Sequence, residues 1–71
     1  MKERFDPGDR IITSYQKYRG LTGEILDRSI RWSVVYYKVI FRKEENDGFI
    51  FDDDVIVNLP ESVIYRTGGR P

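Results

Sequence analysis

Two short clusters in this 71-residue chain combine aromatic rings with cations: Tyr15, Lys17, Tyr18 and Arg19, and further on Arg28, Arg31 and Trp32. Aromatic faces stack on unpaired bases while Lys and Arg hold phosphates, so the combination suits single-stranded nucleic acid or a structured RNA loop. Trp, Tyr and Arg are equally the usual anchors of a protein interface, so a larger protein complex competes for the same residues. A structural reading stands beside both: Tyr18 and Trp32 cover the mouth of a small domain and the charges are merely solvated. Charge separates the partners. Nucleic acid needs the cations contiguous, whereas a protein can also use the acidic residues.

Other chemistry has less support. Asp52, Asp53 and Asp54, with Glu44, Glu45 and Asp47, could collect a hard cation through carboxylate oxygens. Their spacing fits no EF-hand loop, and neighbouring Asp residues in a strand point to opposite faces. We read them as an acidic edge that discourages strand addition or docks onto a basic partner, and expect no metal. Gly20-Leu21-Thr22-Gly23 has the glycines of a phosphate loop, but no Gly-Lys-Ser/Thr follows, so those glycines read as structural.

The chain has no Cys and no His, which excludes a disulfide framework, a zinc finger, a thiol nucleophile and an imidazole base. General acid/base work by two carboxylates remains possible on paper. A domain of this size has little room for a pocket of several hundred Å³, so neither an enzyme, a cofactor nor a small-molecule substrate is expected.

One small domain is all the length allows, and such a domain buries only about 60% of the surface its unfolded chain exposes. No apolar run approaches the roughly 18 residues of a membrane span, and none has the flanks of a signal peptide. A soluble, cytoplasmic protein without membrane insertion is the expectation. Net charge is zero, with 12 Lys and Arg against 12 Asp and Glu. That average conceals an asymmetry: residues 1–43 hold ten cations and five acids, and residues 44–71 hold two cations and seven acids. The folded protein is expected to have a basic and an acidic side.

The elements that must position these residues read as short strands. Residues 1–7 are expected to be a flexible lead-in, ending in the Pro7-Gly8 turn. Arg10–Thr13 is a first strand, and Leu21–Asp27 a second, with a bulge or close backbone approach at Gly23. Arg28, Arg31 and Trp32 then fall in a loop. Ser33–Arg42 is the clearest strand, with Val35, Tyr37, Val39 and Phe41 on the core face and Val34, Tyr36, Lys38 and Arg42 opposite. Glu44 to Gly48 is a polar turn whose Asp47-Gly48 pair signals a hairpin, and Phe49–Phe51 resumes the sheet beside the third strand. Val55–Val57 follows the acidic break, Leu59–Ser62 has room for one 3-10 turn, and Val63–Arg66 closes the sheet. Residues 67–71 are expected to be a flexible tail, leaving a single domain over 8–66.

Five or six short strands with turns at close intervals predict an all-β fold and a small closed barrel, in which the two aromatic and basic loops can lie near each other. Gly8-Asp9-Arg10-Ile11-Ile12-Thr13, followed by Tyr18-Arg19-Gly20-Leu21-Thr22-Gly23-Glu24-Ile25-Leu26, resembles a KOW motif. Gly20 permits the loop exit, Gly23 leaves a strand crossing unblocked, and Ile11 and Ile25 supply paired core residues. Gln16 stands where that family usually has a loop glycine. The resemblance covers about 20 residues and implies a five- to six-stranded SH3-like barrel of the KOW or Tudor type. KOW domains contact RNA, DNA or proteins in ribosomal and transcription assemblies. Barrels of this type also serve as accessory subunits with only protein partners, so fold alone leaves both partners open.

Overall fold

The computed structural model describes residues 4–46 and 53–67. Five strands, β1 (Arg10–Thr13), β2 (Thr22–Arg31), β3 (Val34–Phe41), β4 (Val55–Pro60) and β5 (Ile64–Arg66), form one antiparallel sheet in the order β4-β3-β2-β1-β5. Single 3-10 turns at Gln16–Tyr18, Lys43–Glu45 and Glu61–Val63 mark the connections, and no α-helix occurs among the described residues. The fold is therefore all-β, and no helix among the described residues is long and apolar enough to cross a membrane.

The alternation along β3 sets the core. Tyr37, Val39 and Phe41 are fully buried and Val35 packs against them in part, because successive strand residues face opposite sides of the sheet. Ile25 lies opposite Val39, and Ile11 lies opposite Gly23, so β2 and β1 bury the same face. Leu21, Leu59 and Ile64 complete the aliphatic part. Full burial of each such side chain contributes about 1.5–3 kcal/mol.

Gly23 has the close approach expected of it. A Cβ there would stand 2.5 Å from Val39 Cγ1 and 2.9 Å from Phe41 Cε1. The bulge lies elsewhere, between Ile25 and Asp27. It changes the parity of β2: Gly23 and Ile25 face the core before it, whereas Arg28 and Ile30 lie opposite the inner-face residues Tyr37 and Val35 after it.

Three expectations are corrected. Residues 1–7 are not all lead-in, since Phe5 is a core residue, 2% exposed. Its ring meets Tyr37 edge-on at 5.5 Å, its amide donates to the Tyr37 hydroxyl at 3.1 Å, and the Arg66 guanidinium lies 5.3 Å from its centroid. A lone apolar residue among charges has no periodicity to reveal it. Asp6-Pro7-Gly8-Asp9 then turns the chain into β1, with Gly8 at φ +96° and the Asp9 amide bonded to the Asp6 carbonyl at 3.0 Å. Thr67 is likewise no tail residue, because its amide and hydroxyl both donate to the Arg10 carbonyl, at 3.3 and 3.2 Å.

The third correction is that β2 continues to Arg31 and β3 begins at Val34, so Arg28 and Arg31 lie on a strand and Trp32 in a two-residue turn. Glu44 and Glu45 lie in a 3-10 turn, and Val55–Pro60 is the strand bonded to the other side of β3. The Asp47-Gly48 turn, with Gly48 as a structural glycine, and the Phe49–Phe51 strand lie outside the described residues, as do residues 1–3 and 68–71. The C-terminal 3-10 turn is present at Glu61–Val63, where Thr13 Oγ1 donates to the Val63 carbonyl at 2.6 Å and ties β1 to it.

Candidate functional site

The two aromatic and basic clusters are far apart. One precedes the first residue of β2 and the other occupies its far end, with Arg28 and Arg31 inside the strand and Trp32 just past it. About 20 Å of strand at about 3.3 Å per residue therefore separates Thr22 from Arg28, and more separates it from Trp32. The first cluster packs inward. Tyr18 is buried and stacks on Phe41 at 5.2 Å with the planes 12° apart, and Tyr15 stacks on Tyr18 at 5.9 Å. Lys17 Nζ lies 5.6 Å from the Tyr18 centroid. Gly20, at φ +90°, takes the backbone out of this turn towards β2. Of these four residues, Tyr18 caps the core, Tyr15 is half exposed over it, and Lys17 and Arg19 are exposed, Lys17 with its ammonium group over the Tyr18 ring.

The second cluster projects outward. β1 pairs with β2 only over Thr22–Glu24, and β4 reaches β3 only as far as Tyr36. Beyond that, the pairs Ile30↔Val35 and Arg31↔Val34 belong to a two-stranded arm with no further neighbour strand among the described residues. Trp32 and Ser33 form its tip, with φ of 54° and 65°. Positive φ at both central residues marks a type I′ turn, whose twist suits a tight hairpin but whose usual occupants are Asn and Gly. Trp32 is 94% exposed, flanked by Ile30 at 60% and Val34 at 42%.

Pairing fixes which side chains share a face. Arg31, Val34, Tyr36 and Lys38 lie on the outer face, because Arg31↔Val34, Ser29↔Tyr36 and Asp27↔Lys38 alternate with inward-facing pairs. Arg28 and Ile30 continue the inner face. The Arg28 Nε is buried without a hydrogen-bond partner among the described residues. Ile30, Val34, Tyr36 and Lys38 were not singled out from the sequence. The apolar residues placed symmetrically about Trp32-Ser33 were the available signal, hidden by reading residues 28–32 as a loop.

Ion pairing distinguishes the arm from the rest of the sheet. Arg10 is paired with Glu45, Arg42 Nη1 lies 3.1 Å from Glu24 Oε1, and Arg66 Nη1 lies 3.6 Å from Asp9 Oδ2. No ion pair involves Arg28, Arg31 or Lys38 among the described residues. The Arg10–Glu45 contact joins the basic and acidic stretches, so their opposite charges are partly neutralised in the body.

The acidic residues also have structural partners. Asp54 Oδ1 accepts the Lys43 amide at 2.9 Å, and Glu45 holds Arg10. Lys43, Glu44, Asp53 and Asp54 line an open cleft of about 430 Å³, so a concavity of several hundred Å³, which the chain length argued against, is present at the surface. No cluster of three or more potential metal ligands occurs among the described residues. No protein-family model, curated protein or solved structure matches the chain.

Proposed function

We propose that this protein is a non-catalytic binding module that docks onto a larger assembly through the β2–β3 arm, as a nucleic-acid or ribonucleoprotein contact of the transcription or translation type. The observation that carries this reading is the arm's composition: Trp32, almost fully exposed at the tip, next to Arg31, with Arg28 and Lys38 further along the arm. None of the three cations is in an ion pair among the described residues, and Asp27, opposite Lys38, is the one acid on the arm. Cations outside ion pairs on the same arm as an exposed ring are what phosphate and base contacts require. Lys17 and Arg19 belong to a separate surface.

We further propose that the sheet wraps as an SH3-like barrel of the KOW or Tudor type. Its support is the strand order with a 3-10 turn between β4 and β5, and the packing of Val39 and Phe41 over Gly23. A cytoplasmic location fits a chain without Cys.

The test is fluorescence anisotropy of labelled RNA and DNA with the purified protein between about 50 and 200 mM salt. Binding that weakens with salt is expected, and its absence at low salt sinks the nucleic-acid reading. The alternative, a protein-binding accessory subunit or assembly adaptor, is favoured by exposed Ile30 and Val34, which are apolar in the manner of an interface core. It predicts a complex that Trp32→Ala weakens and that nucleic acid does not displace.

A further inference from the structure

Trp32 occupies a position that neither packing nor turn chemistry accounts for. It is 94% exposed, so it contributes almost no burial, and with Ser33 it holds a left-handed backbone conformation that disfavours residues with a Cβ. Backbone strain held at an exposed tip is characteristic of contact sites. The I′ turn also fixes the ring's starting point at the end of a paired ribbon rather than on a loose loop, which lowers the ordering cost of binding.

The chemistry around the ring narrows what it meets. A β-ribbon can enter the major groove of a duplex, but reading base edges there takes donors and acceptors. Arg31 and Ser33 supply some at the tip, but Ile30 and Val34 offer none and the exposed Trp32 ring only its indole N–H, so its large face has no part in edge reading. An exposed aromatic ring at the tip of an arm that has cations along it suits a base whose face is open. On the outer face, Arg31 and Lys38 are separated by about 13 Å of strand, counted from Asp27 to Arg31 at about 3.3 Å per residue. A short length of phosphodiester backbone spans that separation.

We propose that Trp32 is a stacking platform for an unpaired base, with Arg31 and Lys38 holding phosphates of the strand that runs from that base along the arm, so that the ligand is single-stranded nucleic acid rather than duplex. This rests on the nucleic-acid reading above and adds to it the class of ligand and the role of each residue.

The test compares an oligo(dT) or oligo(U) of about 12 nucleotides with a duplex of similar length, following anisotropy and the emission of the single Trp. The single strand is expected to bind more tightly and quench Trp32. Trp32→Ala is expected to weaken it about 5- to 150-fold, the loss of one base–aromatic stack. Arg31→Ala and Lys38→Ala should each reduce the slope of log K against log salt by about 0.7.

The double substitution Trp32→Asn with Ser33→Gly supplies the residues that the turn prefers. It is expected to raise the melting temperature while abolishing the stacking contribution, an outcome that a structural role for Trp32 would reverse. Undiminished single-strand affinity in that variant overturns the proposal. Duplex binding as tight as single-strand binding, with Trp32 emission unchanged, overturns the ligand class but leaves the nucleic-acid reading intact. No binding of either nucleic acid at low salt overturns both and transfers the arm to a protein partner.

Discussion

Gly23 and Trp32 lie on one continuous path through β2 and its turn, yet their surroundings differ in every respect. At Gly23, β1 and β3 lie on both sides, Val39 and Phe41 close over the backbone, and nearby cations are held by Glu24, Glu45 and Asp9. At Trp32, among the described residues, the ladder has only two strands, the side chain stands in solvent, and the adjacent Arg31 has no ion pair. Residue type follows this difference: a residue without a side chain occupies the crowded site and the largest side chain the open one. A small sheet protein can hold its body together over a short stretch of ladder and leave the rest of the same hairpin for a partner.

Substitutions in the body break this comparison most strongly. Phe41→Ala removes a fully buried ring together with the Tyr18 stack and is expected to cost about 3–5 kcal/mol. Since total stability at roughly 0.05–0.15 kcal/mol per residue is only about 4–10 kcal/mol, urea denaturation should find this variant close to unfolded. Gly23→Ala is expected to cost about 1–3 kcal/mol through overpacking against Val39 and Phe41. Combined with Val39→Ala, it should cost less than the two changes summed, which a double-mutant cycle would reveal.

Asn46→Ala probes the base of the β3–β4 connection. The buried Asn46 side chain accepts the Thr22 amide at 2.8 Å and donates to the Thr22 and Arg42 carbonyls at 3.2 and 2.8 Å. Removing it leaves partly buried backbone groups unpaired, for an expected loss of about 1–3 kcal/mol by the same denaturation measurement. The Arg42–Glu24 pair is partly exposed, and a double-mutant cycle should find at most about 1 kcal/mol, shrinking in high salt.

The smallest stability effect is expected in the arm. Trp32→Ala should move stability by no more than about 0.5 kcal/mol while removing most of the binding, the reverse of Phe41→Ala. A large loss of stability there would erase the distinction between body and arm.

How far the sequence could be read depended on whether a residue's environment was local. The inner face of β3 was legible because alternation is a property of neighbouring residues, and Val35, Tyr37, Val39 and Phe41 alternate without interruption. The close approach at Gly23 was legible because a glycine within an apolar strand has few other reasons to be there. Phe5 was missed because its burial depends on Tyr37, far along the chain. The extent of β2 was missed because the Leu26 bulge shifts parity, so Arg28 and Ile30 break the pattern that would have marked them as strand, and because Trp-Ser is not a turn pair that sequence signals anticipate.

The candidate site divides along the same line. Residue types alone assembled seven candidates, since stacking and phosphate binding are properties of Trp, Tyr, Arg and Lys wherever they stand. Their distribution was decided by the tertiary structure: Tyr18 turned into the core against Phe41, while Trp32 was left at the end of an arm that β1 and β4 do not reach. The sequence by itself determined an all-β chain, its buried alternation and the absence of thiol and imidazole chemistry, because composition and nearest-neighbour pattern suffice for these. Only the tertiary structure decided which aromatic and basic residues are free to meet a partner, because exposure and ion pairing depend on contacts between residues distant in the chain.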